Sequence, residues 1–403
     1  MTFRSGLLPK RLFPFRVNWN TRVQEDLVYR TNVLRSYNGD EQRRRLRHLP
    51  RPRYTFNITT ANEELANLRH AMYGWMQNEW YVPIVNHTST LNSSVLAGST
   101  VLLIDTVDKA YEDSKLMAIY NGHDNYSVVE ILSHTNTSVT LTTGLSDNWD
   151  EGTIVFPVGV GYLSSFESAA YTDQVAVGSV TVECNPELTP LNLPTFSSVV
   201  THTSLEGNIY DVITKPWDWS DQVPSTFTKV MDRVDTGIGP TAGFEVEESG
   251  QITTKVSWLC NGRAEISLVR SFVDSRSGMF KAFYVPSDIN ELTLAADYDN
   301  LFTAIDLADT YYASNVSDRK GYDAIYVKLT DGTLLMSNIV TVNVLGDITQ
   351  ITLDNAFSQT FTLDEVVQCG ILQLCTFATD TINFEWLTDS VARVNVAIKT
   401  TRG

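Results

Sequence analysis

A chain whose second half repeats its first at a spacing of about 200 residues must fold one multi-part module twice, and that constraint outweighs any single motif in it. Trp19, Asn20 and Val23 recur as Trp219, Ser220 and Val223, and Leu68 and Met72 recur as Leu268 and Phe272. Trp80-Tyr81-Val82-Pro83 recurs as Phe283-Tyr284-Val285-Pro286. Further along, Val139-Thr140-Leu141, Leu145, Trp149 and Ile154-Val155 answer to Ile351-Thr352-Leu353, Phe357, Phe361 and Val366-Val367. The blocks keep their order. Ordered apolar anchors imply two superposable units, over residues 14–183 and 214–398, with Trp19, Trp80, Trp219 and Tyr284 expected in their cores.

At 403 residues, 43% hydrophobic and 19% charged, the chain can build several domains with real cores. No apolar run approaches the roughly 18 residues of a membrane helix, and Met1 to Phe15 is too weakly apolar for a secretory signal. The expectation is a soluble protein made in a cytoplasm, with no membrane partner. Cys184, Cys260, Cys369 and Cys375 form no CxxC pair, so buried thiols are expected rather than a disulfide framework or a metal site. The net charge of −17 hides an asymmetry. Residues 1–54 hold 13 Lys or Arg against 4 Asp or Glu, a balance of +9, and the rest of the chain carries −26. An acidic body repels nucleic acid, while a basic end can dock on an acidic surface, including that of another copy.

Apolar residues Val23, Leu27, Tyr29 and Val33 follow the period of a strand, Asn38-Gly39 supplies a reversal, and Pro50 and Pro52 keep the returning arginine-rich segment extended. Thr60 with Glu63 reads as a capping box, and Leu65, Leu68, Met72 and Trp75 form the apolar stripe of a helix. A strand from Trp80 follows. The second copy predicts strands around Phe244–Val246 and Ile252–Trp258, a helix over Ala264–Phe272 and a strand at Phe280–Val285. After each unit, short strands separated by Gly, Asn and Asp turns predict a small barrel or sandwich. The fold class is therefore mainly β with a few helices, a tandem duplication of a β-sandwich-plus-helix unit and a small β domain. The expected boundaries are a basic arm and first strand-helix unit (1–90), a small β domain (91–184), a linker (185–213), a second strand-helix unit (214–290) and a second β domain (291–403).

Catalytic signals are weak. His48, His70, His87, His123, His134 and His202 lack ligand spacing, so no metal or cofactor is expected, and exposed or locally bonded rings are the simpler reading. The glycine-rich run Gly237 to Gly243 lacks the GxGxxG spacing of a phosphate cradle. Asp147 with Asp150 and Glu151, Asp218 with Asp221, and Glu245 with Glu247 and Glu248 are the paired carboxylates a glycan hydrolase needs. They sit in polar turns or on alternating strands, where solvated surface is the plainer account and calcium binding by one loop a further one. Six Asn-x-Ser/Thr sequons, at Asn57, Asn86, Asn92, Asn125, Asn136 and Asn315, are expected in any Thr- and Asn-rich β protein. The strongest polar signal is Arg43, Arg44, Arg45, Arg47, Arg51 and Arg53. Guanidinium groups grip carboxylates and phosphates bidentately, so this cluster suits an acidic protein surface, solvent or intramolecular pairs, or nucleic acid, with the acidic body weighing against the last.

Phe13-Pro14-Phe15, the run Glu25 to Tyr37, Asn38-Gly39-Asp40-Glu41-Gln42-Arg43-Arg44 and Trp80-Tyr81-Val82-Pro83 together resemble the N-terminal pattern of structural proteins from the tails of double-stranded DNA bacteriophages. Gly152-Thr153-Ile154-Val155-Phe156-Pro157 resembles the end of a small β domain common in those proteins. The resemblance covers about the first 160 residues directly and the rest through the repeat. It implies a non-catalytic virion protein of tail-tip, baseplate or distal-tail type, assembled in the host cytoplasm as a trimeric or hexameric ring that meets tube, hub or fibre proteins. The cluster Arg43 to Arg53 is then expected at subunit contacts. The alternatives are a receptor- or glycan-binding tail protein and a hydrolase of the cell envelope.

Overall fold

The computed structural model describes residues 11–36, 40–197, 200–229, 231–245, 250–316 and 321–401. The Asn38-Gly39 reversal, Val246, Glu247 and Glu248 lie outside the described residues. The chain is mainly β, with three helices among the described residues and strands that pair almost entirely antiparallel. The first half runs through β1 (Arg11–Leu12), β2 (Val23–Val28), a hairpin of β3 (Thr31–Arg35) and β4 (Glu41–Arg45), and the long β5 (Arg51–Ala61). Helix α1 (Glu63–Trp75) and β6 (Trp80–Pro83) follow. A small β domain then holds β7 (Ser89–Thr90), β8 (Val101–Leu103), β9 (Leu116–Tyr120), β10 (Tyr126–Thr135) and β11 (Ser138–Leu141), before β12 (Ile154–Ala170) and β13 (Val175–Cys184) return to the large sheet.

A connecting segment carries the hairpin β14 (Thr201–Thr203) and β15 (Ile209–Asp211). The second half has β16 (Ser225–Thr228), the hairpin β17 (Met231–Val234) and β18 (Ala242–Glu245), β19 (Gln251–Asn261), helix α2 (Arg263–Arg276) and β20 (Phe283–Pro286). Its small domain contains β21 (Ala304–Leu307), the short α3 (Tyr311–Asn315), β22 (Ala324–Leu329), β23 (Leu334–Leu345) and β24 (Ile348–Leu353). The chain returns through β25 (Val366–Phe377), β26 (Thr381–Trp386) and β27 (Val391–Thr400).

Pairings in the two halves fall in the same order and often the same register. β5 pairs with β13 from Ala61↔Val175 to Arg53↔Glu183, and β19 pairs with β27 from Asn261↔Val391 to Thr253↔Lys399. Trp80 lies opposite Gly161, and Phe283 opposite Cys375. In the small domains Leu102 faces Val139 and Ile305 faces Ile351, while the bridges Val95↔Trp149 and Tyr298↔Phe361 close the same loops. The halves meet where β2, already paired to β5, takes β26 on its other side, Leu27 opposite Ile382.

Alternation explains the layering. Val23, Glu25 and Leu27 of β2 and Tyr54, Phe56 and Ile58 of β5 point inward and are buried, with the intervening residues turned outward. These residues join Trp80, Trp258, Phe272, Phe283 and Trp386 in one core shared by both halves, and each large side chain fully buried there contributes on the order of 1.5–3 kcal/mol. Each small β domain has its own core, one around Leu102, Ile119, Val139 and Trp149, the other around Leu307, Ile325, Ile351 and Phe361.

Several expectations differ from what is observed. Leu268, matched to the buried Leu68, is 55% exposed, because Ile266, Val269, Phe272 and Val273 take the inward face of α2. The Thr60–Glu63 capping box does not form: Ala61 is still paired with Val175, so Thr60 is buried inside a strand, and the chain enters α1 through Asn62 at a φ of 51° with no side-chain cap. Trp80 and Tyr284 are buried, but Trp19 and Trp219 are 39% and 55% exposed. Trp19 lies in the segment that leads into β2 and Trp219 in the one that leads into β16, Trp219 tilted against Trp217 with ring centroids 5.8 Å apart. β12 continues through the polar stretch Ser164–Ala170, so residues 159–184 belong to the sheet of β5.

Candidate functional site

The arginines of the basic arm take several different surroundings. The β3–β4 hairpin crosses the joint and lies on the second half. Arg43 donates to the Met279 carbonyl at 2.6 Å and to Glu41, and Lys399 reaches Glu41 from β27 at 3.0 Å. Burial raises the Glu41 carboxyl, but hydrogen bonds from Lys399 and Arg43 outweigh it and hold the group below the usual carboxylate range. Arg45 donates to Ser277 Oγ at 3.2 Å and lies 6.0 Å over the Phe280 ring. At the hairpin base, Asp380 accepts the Thr31 N–H at 2.5 Å, the Thr31 hydroxyl at 2.9 Å and the Met279 N–H at 3.0 Å. Arg47 donates to the Val28 carbonyl at 2.9 Å, and Arg53 pairs with Glu183 at 2.8 Å. Arg44 and Arg51 point to solvent. Arg43 and Arg45 thus strap one half to the other within the chain.

Beneath this strap is a fully buried ion pair. Arg270 of α2 donates to Glu25 of β2 at 2.9 and 2.7 Å, with side chains 1% and 0% exposed. Asn86 at 3.1 Å, Tyr54 at 3.2 Å and the Trp386 indole at 3.0 Å complete the carboxylate's donors, and the Arg270 Nε–H donates to the Leu191 carbonyl at 3.0 Å. Burial raises the Glu25 carboxyl, yet the Arg270 charge and these hydrogen bonds prevail and hold it below the ordinary carboxylate value. The pair is a bidentate contact. Because a lone buried charge is costly, β2, α2 and β26 are locked in a single arrangement.

His87 is buried beside this centre, its Nδ1 accepting the Ala110 N–H at 3.1 Å and its ring edge-on to Trp386. Burial, then the nearby Arg263, pushes its pKa well below the ordinary histidine value, which keeps the ring neutral. His202 is also buried, against Asn338. Both rings are buried rather than exposed, and each is hydrogen-bonded, the other form that the sequence reading allowed.

Asp147, Asp150 and Glu151 are exposed in one turn, Asp147 accepting from the Ser146 hydroxyl at 2.6 Å. Asp218 is tied to Arg393 at 3.1 Å and Asp221 is exposed. Glu63, His123 and Asp124 place possible ligand atoms within 4.8 Å of one another, but carboxylates gather this way at surfaces without a metal. All four cysteines are free and buried, and burial lifts Cys184 and Cys369 to about 12. Among the described residues no helix is long and apolar enough to cross a membrane. A cleft of about 720 Å³ opens beside the first half, lined by Phe13, Phe15, Trp19, Lys109, Tyr120 and Phe156.

Glu25 and Arg270 are the residues that sequence reasoning missed. Their signal is a charge in the apolar phase: Glu25 lies between Val23 and Leu27 on the inward face of β2, and Arg270 shares the buried face of α2 with Ile266, Val269 and Val273. No protein-family model matches the chain, and no curated protein matches it.

Proposed function

We propose that this protein is a non-enzymatic structural component of a double-stranded DNA bacteriophage tail, assembled in the host cytoplasm, where copies form an oligomeric ring or joint that meets tube, hub or fibre proteins. On this reading its two halves are tandem copies of one module. The observation that carries the proposal is the joint itself. Two halves with matching strand pairings meet sheet edge to sheet edge through β2 and β26, are pinned by the Glu25–Arg270 pair and are strapped by a basic hairpin. Heterologous contacts between like units generate rings or filaments, and a doubled module reaches the same count of units with half as many chains. The test is the mass of the purified protein by light scattering, together with labelling of purified tails by an antibody to it. Closed oligomers and labelled tails are expected; a monomer at every concentration, or unlabelled tails, would refute the proposal.

A glycan-binding role is the second reading, favoured by the exposed Trp19 at the rim of the aromatic cleft, since sugars stack on such rings. Titration of cell-envelope glycans against the Trp19→Ala variant separates the two. The same preparations, assayed for released reducing sugar with Asp147, Asp150 and Glu151 replaced together, test the hydrolase reading.

A further inference from the structure

The contact between the halves pairs β2 with β26, and the strands at the corresponding places elsewhere in the chain can be read from the pairing registers. Along β2 and β16 the numbering differs by 200 at constant register: Gln24 faces Thr55 on β5, and the Lys255 N–H of β19 bonds to the Pro224 carbonyl. The counterpart of Leu27 is therefore Phe227. On the other side of the joint, Ala176 of β13 faces Ala170 and Ala392 of β27 faces Trp386, so the distal part of β12 stands where β26 stands. The counterpart of Ile382 is Phe166.

In the joint within the chain, Leu27 and Ile382 face each other and both are 0% exposed. Their counterparts are left open. Phe227 is 75% exposed, all of β16 is exposed, and among the described residues β16 pairs with β19 alone. Ser165, Glu167, Ser168, Ala169 and Ala170 are exposed on an edge that, among the described residues, pairs only with β13, with Phe166 half-buried at its inward position. Unpaired strand edges with inward-phase aromatic residues are templates for another strand. The hairpins repeat the asymmetry: β3–β4 pairs Thr31 with Arg45 and lies on the second half, whereas β17–β18 pairs Met231 with Glu245 and leaves Val234 and Phe244 exposed.

We propose that β16 of one copy pairs antiparallel with residues 165–170 of β12 in the next, Phe227 against Phe166 and Thr226 against Glu167, with the β17–β18 hairpin laid across that copy's first half. The occupant of each edge is a second copy of this chain, because the register of β2 on β26 is already built for it. The contact is heterologous, head to tail, the kind that generates rings or filaments, and it deepens the structural role proposed above and rests on it. The buried pair does not repeat: the counterpart of Glu25 is Ser225, which carries no charge. The joint within the chain is therefore permanent, and the joint between chains, lacking the lock, is reversible.

Two measurements test this. Chains carrying only Thr226→Cys are mixed with chains carrying only Glu167→Cys and treated with a short bis-maleimide, which adds one thiol at each end, the native cysteines being buried. A cross-linked dimer is expected from the mixture, and not when Tyr162→Cys replaces Glu167→Cys, since that shift moves the thiol roughly 17 Å along the strand. Phe227→Asp, at an exposed site, should leave the melting temperature unchanged and raise the concentration at half-assembly by about tenfold or more. If wild-type chains form oligomers but Phe227→Asp assembles normally and no register-specific cross-link appears, the edge contact is wrong while the structural role stands. If wild-type chains stay monomeric throughout, both fall.

Discussion

Replacing Arg270 with Met removes one member of the buried pair and leaves Glu25 facing only Tyr54, Asn86 and Trp386. The two side chains are 1% and 0% exposed, so solvent offers the remaining carboxylate no relief. Breaking a buried pair from one side costs about 3–5 kcal/mol. At roughly 2–4 °C per kcal/mol for a domain of 150–250 residues, the melting transition should fall on the order of 10 °C. The pH dependence gives a sharper signature. In the wild type the Glu25 pKa is lowered, so its stabilisation is present above the unfolded carboxylate value and is lost as pH falls through the folded one. Without Arg270, burial is left as the largest influence and raises that pKa, so the variant loses stability as pH rises through it. The stability gap between wild type and variant should therefore widen from pH 4 to pH 8. Urea unfolding followed by tryptophan fluorescence suits the measurement, because Trp386 touches Glu25. A double variant with Glu25→Leu should recover much of the loss, since no charge is then stranded. A cost below about 1 kcal/mol at pH 8, or a gap that does not change with pH, would refute the view that this pair locks the joint.

Reversing the two solvent-facing arginines with Arg44→Glu and Arg51→Glu should leave folding within about 1 kcal/mol, since exposed charges contribute little to it, yet weaken assembly in sedimentation at low salt. Unchanged oligomers at low and moderate salt would remove these residues from the interface. A thiol reagent should label no cysteine in the native protein and all four in denaturant, because the thiols are buried and burial disfavours the reactive thiolate; fast native labelling would contradict that. Gly161→Ala should destabilise by about 1–3 kcal/mol, because its Cβ would lie 2.4 Å from the Glu183 carbonyl oxygen and 2.8 Å from the Cys184 Cα, both backbone atoms that cannot swing aside. A neutral result in thermal unfolding would mean that β12 and β13 separate more easily than their register indicates.

Local periodicity made much of the architecture readable. The stripe Leu65, Leu68, Met72 and Trp75 marks α1, and the alternation around Phe56 and Trp258 marks β5 and β19, because each obeys the geometry of its own element. Ser164–Ala170 escaped such reading because Phe166 alone in it is partly covered, so neither face carries an apolar alternation. The Thr60–Glu63 pattern misled because pairing with β13 held Thr60 in the sheet and overrode a local capping preference. The buried centre was hidden for another reason. Glu25 and Arg270 are 245 positions apart, and a charge at an inward position acquires its meaning only when the partner is placed beside it. The arginine cluster was visible as charge, whereas its division into a strap, local bonds and two free residues depends on where Met279, Ser277 and Val28 offer acceptors.

The pairing of β2 with β26 also sets a schedule for synthesis. The Trp386 indole that donates to Glu25 leaves the ribosome 361 residues after it. At roughly 5–20 residues per second, that interval is about 20–70 s. Throughout it, β2 can pair with β5 but presents a bare outer edge, with the Glu25 carboxylate waiting for an arginine and an indole not yet made. Polysomes crowd such nascent chains together, and the edge that later joins the two halves of one chain is then open to any neighbour's finished strand.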